Sequence, residues 1–245
     1  MAALSMEGVT KYFPSTQVMA CRSVNFGISP GEIHALVGEN GAGKTTLMNL
    51  LYGLLPMDSG MVRLDDVKID IHSPRSAIAH GIGMVHQHFQ LVPSFSVAEN
   101  IGLGAEVGRM GWIDHRSEAR RVQTLSEEFG LPIDPSLRVA DLPVGMKQRV
   151  EILKALYRDV NILILDEPTA ALTPQESEEL FHNLRSLRAS GKSVVFITHR
   201  LPEVMELADR VSVMRRGEMV ATLCVADTSI EELSSLMICR EELKS

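Results

Sequence analysis

The sequence predicts an α/β domain: a mainly parallel, helix-covered sheet, with antiparallel strands near its N-terminus and a helical insert in its middle. Three observations lead there. Apolar stretches of strand length alternate with amphipathic helical stretches up to about residue 88 and again from about residue 158, the pattern of a parallel sheet with helices on its faces. One such stretch, residues 32–37, runs directly into a glycine-rich loop that opens a helix. Between them, residues 89–157 read as helices broken by prolines, so the whole chain is expected to form one domain, with its core in 1–88 and 158–245.

The elements follow in order. Residues 4–10 and 23–28 read as strands bounded by turn residues, among them Ser29, Pro30 and Gly31. A helix over 44–54 places Leu47, Leu50, Leu51 and Leu54 at three- and four-residue spacing. Residues 60–71 read as a strand pair, 73–80 as a short helix and 82–85 as a strand. Ser96 and Glu99 form a capping box that opens a helix at Val97, and Asp114 caps a charged helix that ends before Gly130. Residues 145–158 are helical again, after Pro132 and Pro135. Residues 161–165 form a buried type of strand. Thr173, Pro174 and Glu176 start a helix with Leu180, Phe181, Leu184 and Leu187 on one face, ended by Gly191. Residues 193–198, 210–214 and 219–222 read as strands, and Ser229 with Glu232 caps a last short helix.

Composition narrows the function classes. The chain has 245 residues, 45% of them hydrophobic and 22% charged, enough to bury a sizeable core. The net charge of −7 lacks the basic field of a general nucleic-acid binder, so no nucleic-acid partner is expected. Cys21, Cys224 and Cys239 are scattered without a Cys-x-x-Cys spacing, which fits neither a disulfide framework nor a zinc site and suits a reducing compartment. Residues 1–6 lack the pattern of a secretory leader, and no apolar run nears the ~20 residues that cross a bilayer. Any membrane role is therefore expected to run through another subunit.

Two motifs carry chemistry. Gly38-Glu39-Asn40-Gly41-Ala42-Gly43-Lys44-Thr45 matches GxxxxGK[ST] in full, with a strand before it and a helix after it. Glycines let successive backbone N–H groups face phosphate oxygens, and the helix N-terminus adds its positive end. Lys44 suits the β- and γ-phosphates, Thr45 suits Mg²⁺, and Thr46 adds a phosphate contact. The second motif is the apolar strand that ends in Asp166 and Glu167, which delivers two acids to the carboxyl edge of the sheet, where the phosphate loop also lies. Asp166 suits Mg²⁺ and Glu167 suits the general base for an attacking water.

A phosphate loop alone fits many nucleotide enzymes. The segment Asp141-Leu142-Pro143-Val144-Gly145-Met146-Lys147-Gln148-Arg149, just before the acidic strand, resembles the ABC signature, LSGGQ followed by a polar residue, glutamine and arginine. Gln87 resembles the Q-loop glutamine, and residues 167–173 resemble the segment from the catalytic glutamate to the D-loop. His199 resembles the switch histidine. Phe13 resembles the aromatic that stacks on adenine, with Tyr12 as its rival. In that order, these motifs make the chain resemble the ATPases of ABC transporters over essentially its whole length. Residues 81–89, 92–93, 96–101, 148–158 and 172–176 resemble, more narrowly, the importers of simple sugars and purine nucleosides.

The resemblance implies a P-loop NTPase of ABC type that binds ATP and Mg²⁺ and hydrolyses ATP on the cytoplasmic face of the membrane. It implies catalytic roles for Glu167, His199 and Gln87, and Mg²⁺ contacts from Thr45, Gln87 and Asp166. Nucleotide contacts would come from Phe13, from residues 38–46 and, across a pair of domains, from Pro143, Val144 and Gly145. It implies a second nucleotide-binding domain, permease subunits and, through the permease, an extracytoplasmic substrate-binding protein. An ATP-binding regulatory half with weak turnover and a non-transport ABC ATPase are the alternatives. Three positions depart from the pattern: Pro143 replaces the signature serine, Met146 its polar fifth residue, and Thr173 the D-loop aspartate. The departures predict a catalytic half that is complete beside a weaker signature half.

Overall fold

The computed structural model describes residues 4–105, 108–109 and 112–238. Cys239 lies outside the described residues, as do the first three residues of the N-terminal segment; Cys21 is buried and Cys224 exposed, both as free thiols.

An antiparallel sheet begins the fold. β1 (Leu4–Phe13) pairs with β2 (Val18–Ile28) from Leu4 opposite Ile28 to Phe13 opposite Val18. Both strands run further towards their shared turn than the apolar pattern predicts. Cross-strand hydrogen bonds carry the mixed residues 11–13 and 18–22, whose local sequence has no strand signature. The second, larger sheet starts with β3 (Ile33–Val37), and β4 (Ser59–Leu64) with β5 (Val67–Ile69) completes the first in the order β2-β1-β4-β5.

The larger sheet continues with β6 (Ile82–Val85). A ribbon of two-residue strands, β7 (Gly108–Arg109) and β8 (Trp112–Ile113), stands apart from it. The remaining strands are β9 (Ile162–Asp166), β10 (Ser193–Thr198), β11 (Arg210–Arg215) and β12 (Glu218–Cys224). The order is β12-β11-β3-β10-β9-β6, parallel throughout except for the β11–β12 pair. The chain is thus α/β with mixed sheets, and the expected N-terminal antiparallel strands are present.

Eight α-helices lie among the described residues, seven between strands and the last after β12: α1 (Lys44–Leu51), α2 (Pro74–Ala79), α3 (Val97–Gly102), α4 (His115–Glu128), α5 (Val144–Leu156), α6 (Pro174–Ala189), α7 (Leu201–Leu207) and α8 (Ile230–Met237). The capping residues define several starts. Ser96 accepts from the Glu99 amide at 3.2 Å while the Glu99 carboxylate accepts from the Ser96 amide at 2.7 Å. Thr173 and Glu176 form the same reciprocal pair at α6, and Asp114 caps α4. α7 has no counterpart in the sequence reading: seven residues with Pro202 in the first turn are too few to show a helical period. α1 ends at Leu51 rather than Leu54, and Leu54 is exposed beyond it.

The parallel strands alternate their side chains between two cores. Ile33, Ala35, Val37, Leu163, Leu165, Val194 and Phe196 face one core with α5 and α6, while Leu36, Ile162, Ile164, Val195 and Ile197 face another shared with α1 and the antiparallel sheet. Leu47, Leu50 and Leu51 are fully buried in the second, each contributing roughly 1.5–3 kcal/mol relative to an exposed position. α3, α4 and α5 pack on one another, and α5 also meets β6. Two buried faces fix the sheet as a rigid platform, and functional groups gather along its carboxyl edge.

Candidate functional site

Four adjacent strands, β3, β10, β9 and β6, end along that edge. Being parallel, they release their next residues on the same side. β3 leads into the phosphate loop, β10 into His199, β9 contributes Asp166 and leads into Glu167, and β6 is followed by Gln87. The sheet order therefore gathers segments that lie up to 161 positions apart in the chain, from Gly38 to His199.

The loop's shape depends on glycine at two points. Gly38 has φ +155° and Gly43 φ +105°; a Cβ on Gly38 would lie 2.1 Å from the Met214 carbonyl oxygen, and one on Gly43 would lie 2.2 Å from that of Ala20. Lys44 is buried, and its Nζ donates to the carbonyls of Gly38 at 2.8 Å and Glu39 at 2.9 Å. The ammonium is thus held over its own loop. Burial lowers its pKa from the usual lysine range, opposed by the nearby charges of Glu167 and Asp166.

Thr45 donates its hydroxyl to Asp166 Oδ1 at 3.3 Å, so the first turn of α1 meets the end of β9. Burial raises the Asp166 carboxyl pKa, with the Thr45 hydrogen bond acting against it. The next residue, Glu167, has φ +47°, an unusual conformation for a side chain with a Cβ. Its amide donates to the Ile197 carbonyl at 3.0 Å. Its two carboxylate oxygens are both engaged: Oε1 lies 3.1 Å from His199 Nδ1, and Oε2 accepts from Gln87 Nε2 at 3.3 Å. The three groups expected to be catalytic are therefore in one constellation.

Phe13, at the end of β1, lines the same pocket as residues 40–46, Gln87 and Glu167. Tyr12 does not line it and projects outward, with its amide donating to Asp58 Oδ2 at 2.6 Å. The alternation of the strand separates these neighbours. Gly38 and Glu39 hold Lys44 from behind the pocket. Asn40, Gly41, Ala42, Gly43 and Thr46 face it.

Pro143, Val144 and Gly145 do not line that pocket. They form the start of α5, with Pro143 as a cap residue that offers no side-chain hydrogen bond. The Gly145 amide donates to Glu176 Oε1 at 3.1 Å, and Oε2 of the same glutamate accepts from the Thr173 amide at 2.9 Å. Sequence reasoning missed this link between two of the departing segments. It missed also the carboxylate of Glu203, which accepts from Thr169 and Thr198 beside the catalytic constellation. Glu203 has no motif signal, being an acid in the first turn of a short helix.

Among the described residues no helix is long and apolar enough to cross a membrane, and no group of three or more His, Cys, Asp or Glu side chains is placed to hold a metal ion. Thr45, Asp166 and Gln87 instead offer a hydroxyl, a carboxylate and an amide, oxygen donors of the kind magnesium takes when phosphate oxygens complete its shell.

Comparison with known proteins places the chain in a family. Residues 21–170 match the family described as ABC transporter; a shorter stretch, 137–221, also matches the bacterial DnaA ATPase domain but includes neither the phosphate loop nor Gln87. The guanosine import ATP-binding protein NupO of Bacillus subtilis is 50% identical over 97% of the chain and 46% of its own length. The nucleoside import ATP-binding protein NupA of Lactococcus lactis subsp. cremoris is 47% identical over 97% of the chain and 46% of its own length. The ribose import ATP-binding protein RbsA 3 of Rubrobacter xylanophilus is 45% identical over 96% of the chain and 47% of its own length. The chain thus spans about half the length of these relatives. Among solved structures, the ADP conformation of the ATP-binding cassette MJ1267 superposes with a TM-score of 0.82 at 26% identity, covering 96% of this chain and 98% of that one. The structure of cbiO1 from Clostridium perfringens, part of an ABC transporter complex, gives 0.79 at 28% identity, with coverage of 96% and 92%. With its phosphate loop, acidic strand end and Gln87–Glu167–His199 constellation on one sheet edge, and with that family match across more than half its length, the chain belongs to the ABC transporter family.

Proposed function

We propose that this chain binds ATP with Mg²⁺ between Phe13 and the phosphate loop, hydrolyses it, and thereby energises an importer of nucleosides or simple sugars. The observation that carries the reading is the Glu167 carboxylate held between Gln87 and His199, beside Lys44 and Thr45. Phe13 gives adenine an apolar face, and the backbone N–H groups of residues 40–46 meet the phosphates. Lys44 offers its ammonium to the β- and γ-phosphates. A bound magnesium ion, held by Thr45, Asp166 and Gln87, supplies charge neutralisation at the phosphate oxygens. Glu167 accepts the proton of the attacking water, and His199 holds that carboxylate in place and faces the departing phosphate. The import of nucleosides and sugars is supported by the printed names of the relatives.

In this reading residues 89–157 act as a helical subdomain that meets the permease, and 1–88 with 158–245 as the ATP-binding core. The chain sits peripherally on the cytoplasmic face of the membrane, as an ATP-binding domain that meets a second such domain. Each ATP lies between the phosphate loop of one domain and the signature start, 143–145, of the other, so closure gains contacts that the open pair lacks. An extracytoplasmic binding protein delivers the substrate to the permease.

The test is Mg²⁺-dependent ATPase activity across a series of protein concentrations, with Glu167→Gln as control. Activity that rises more steeply than concentration and disappears in Glu167→Gln is the expected result. A second reading, an ATP-binding regulatory half with weak turnover, is favoured by Pro143 and Thr173 in the signature half. Tight ATP binding without turnover at any concentration, with or without a second domain, selects it.

A further inference from the structure

Glu203 stands in the first turn of α7 with its side chain 12% exposed, and it lies outside the nucleotide pocket. Both of its carboxylate oxygens are used. Oε1 accepts from the Thr169 hydroxyl at 2.7 Å and from Arg200 Nη1 at 3.3 Å, and Oε2 accepts from the Thr198 hydroxyl at 3.0 Å. The Thr198 oxygen in turn accepts from the Arg200 amide at 3.0 Å, which closes a small ring around His199. Thr169 and Thr198 are each buried.

The two hydroxyls belong to different segments. Thr169 follows Glu167 by two residues in the turn after β9, and Thr198 is the last residue of β10, directly before His199. One carboxylate therefore ties together the backbone segments that carry the two facing side chains. The Glu167 amide also donates to the Ile197 carbonyl at the strand ends, and within the turn the Ala170 amide donates to the Glu167 carbonyl and the Leu172 amide to the Thr169 carbonyl, while the Glu203 carboxylate is what joins Thr169 to Thr198. A helix cap for α7 would need neither threonine.

We propose that Glu203 is a positioning residue for hydrolysis: it sets the Glu167–His199 contact by fixing Thr169 and Thr198 on one carboxylate. This rests on the reading that Glu167 and His199 act on the attacking water. Glu203 does not line the nucleotide pocket, so it acts through the two threonines. A carboxylate that accepts two hydroxyl hydrogen bonds and one guanidinium bond locks both segments in a fixed spacing, and reaction geometry tolerates displacements of only ~0.5 Å. Losing that lock lets the base and the histidine drift apart while the phosphate loop, on the far side of β10, stays formed.

The test compares Glu203→Ala, Glu203→Gln and Thr198→Val on the full chain. Three readouts are taken: ATP affinity, turnover, and the His199 ring resonances in protein labelled with ¹⁵N-histidine, assigned with His199→Gln. Glu203→Ala is expected to lower turnover about 10- to 100-fold, the size of effect that a misplaced reacting group produces, with ATP affinity within about twofold of the parent. It also shifts the His199 resonances in nucleotide-free protein. Glu203→Gln keeps one acceptor oxygen and an amide that pairs with a rotated hydroxyl, so it retains the parental resonances and most of the turnover. Thr198→Val, which keeps the shape and removes one hydroxyl, reproduces the His199 shift even if Glu203→Ala folds poorly. Unmoved His199 resonances in folded Glu203→Ala or in Thr198→Val overturn the proposal, whatever the turnover. Equal loss of ATP affinity and turnover in all three variants also overturns it, because that pattern marks a general structural role. Turnover that survives in Glu167→Gln, in contrast, defeats the hydrolysis reading itself and leaves the resonance test of Glu203 to stand alone.

Discussion

The amide of Gly145 donates to Glu176 Oε1 across 3.1 Å, so the start of α5 is tied to the start of α6 within one chain. The same carboxylate closes the capping box with Thr173, and the surrounding hydrogen bonds hold its pKa below the usual glutamate range, the Thr173 amide foremost. The two segments that resemble the signature and the D-loop thus share one anion. Where the family pattern has an aspartate, Thr173 serves as the cap that places Glu176.

A side chain at Gly145 is expected to break this tie. A Cβ there would lie 2.6 Å from Glu176 Oε1, with the carboxylate carbon at 3.0 Å. Glu176 is a partly exposed side chain that can swing aside, so the cost is that of the capping hydrogen bonds it gives up, about 0.5–2 kcal/mol. Gly145→Ala should lower the melting temperature and depress ATPase activity, while ATP affinity of the isolated chain holds, because the phosphate loop lies elsewhere. Loss of affinity equal to the loss of turnover would contradict this separation.

Pro143 caps α5 without a side-chain hydrogen bond. Serine at that position would offer a hydroxyl to the helix start and, in the proposed pair of domains, to the nucleotide on the facing domain. A hydrogen bond to a charged group is worth about 1.5–3 kcal/mol, so Pro143→Ser should raise ATPase activity about tenfold at subsaturating ATP. An unchanged rate would show that the signature half is no weaker for its proline.

Phe13 and Tyr12 are separated by side-chain direction rather than by residue type. Stacking of a base on an aromatic side chain is worth about 1–3 kcal/mol, so Phe13→Ala should weaken ATP binding about tenfold or more. Tyr12→Ala, removing a ring that does not line the pocket, should leave affinity within about twofold of the parent. Titration with a fluorescent ATP analogue distinguishes the two, and equal losses would reject the assignment to Phe13.

Below the site, the fully buried His34 bridges Glu32 Oε1 at 2.7 Å and the Ser212 hydroxyl at 2.8 Å. Burial pushes the Glu32 carboxyl up, but hydrogen bonds and charge from His34 and the Ser29 amide outweigh it and bring the pKa from 4.5 down to about 2. The folded chain binds this proton less readily than the unfolded chain. Its stabilising effect is therefore fully present above pH 4.5 and fades as the pH falls from 4.5 towards 2. Glu32→Gln should cost roughly 3 kcal/mol near neutral pH, the equivalent of that lowered carboxyl pKa, because it removes the anion that the His34 ring and the Ser29 amide face. The difference between variant and parent should shrink through that acid window in urea unfolding. A difference that is constant with pH would exclude the linkage.

Local signals carried much of the fold. Capping residues such as Ser96 and Thr173 mark helix starts because one side chain can satisfy a backbone amide wherever the rest of the protein lies. α7 and the outer parts of β1 and β2 were not legible, since a seven-residue helix has too few turns for a period and the strand ends depend on pairing with another segment. At the site, Lys44, Thr45, Asp166, Glu167, Gln87 and His199 were readable from motifs. Glu203 was not, and of Glu176 only the helix cap was, because Glu203 acts through two hydroxyls and Glu176 also through the Gly145 amide, all supplied from elsewhere in the chain.

By itself the sequence determined the glycine loop, the acidic strand end, the capped helices and the buried apolar alternation, because each depends on neighbouring residues within a few turns of chain. The tertiary structure decided which of Phe13 and Tyr12 faces the pocket, how Gln87 and His199 meet opposite oxygens of Glu167, and that Glu203 holds the turns beneath them. These follow from the order of parallel strands and from hydrogen bonds between segments far apart in sequence, and such contacts exist only once the sheet has brought the strand ends together.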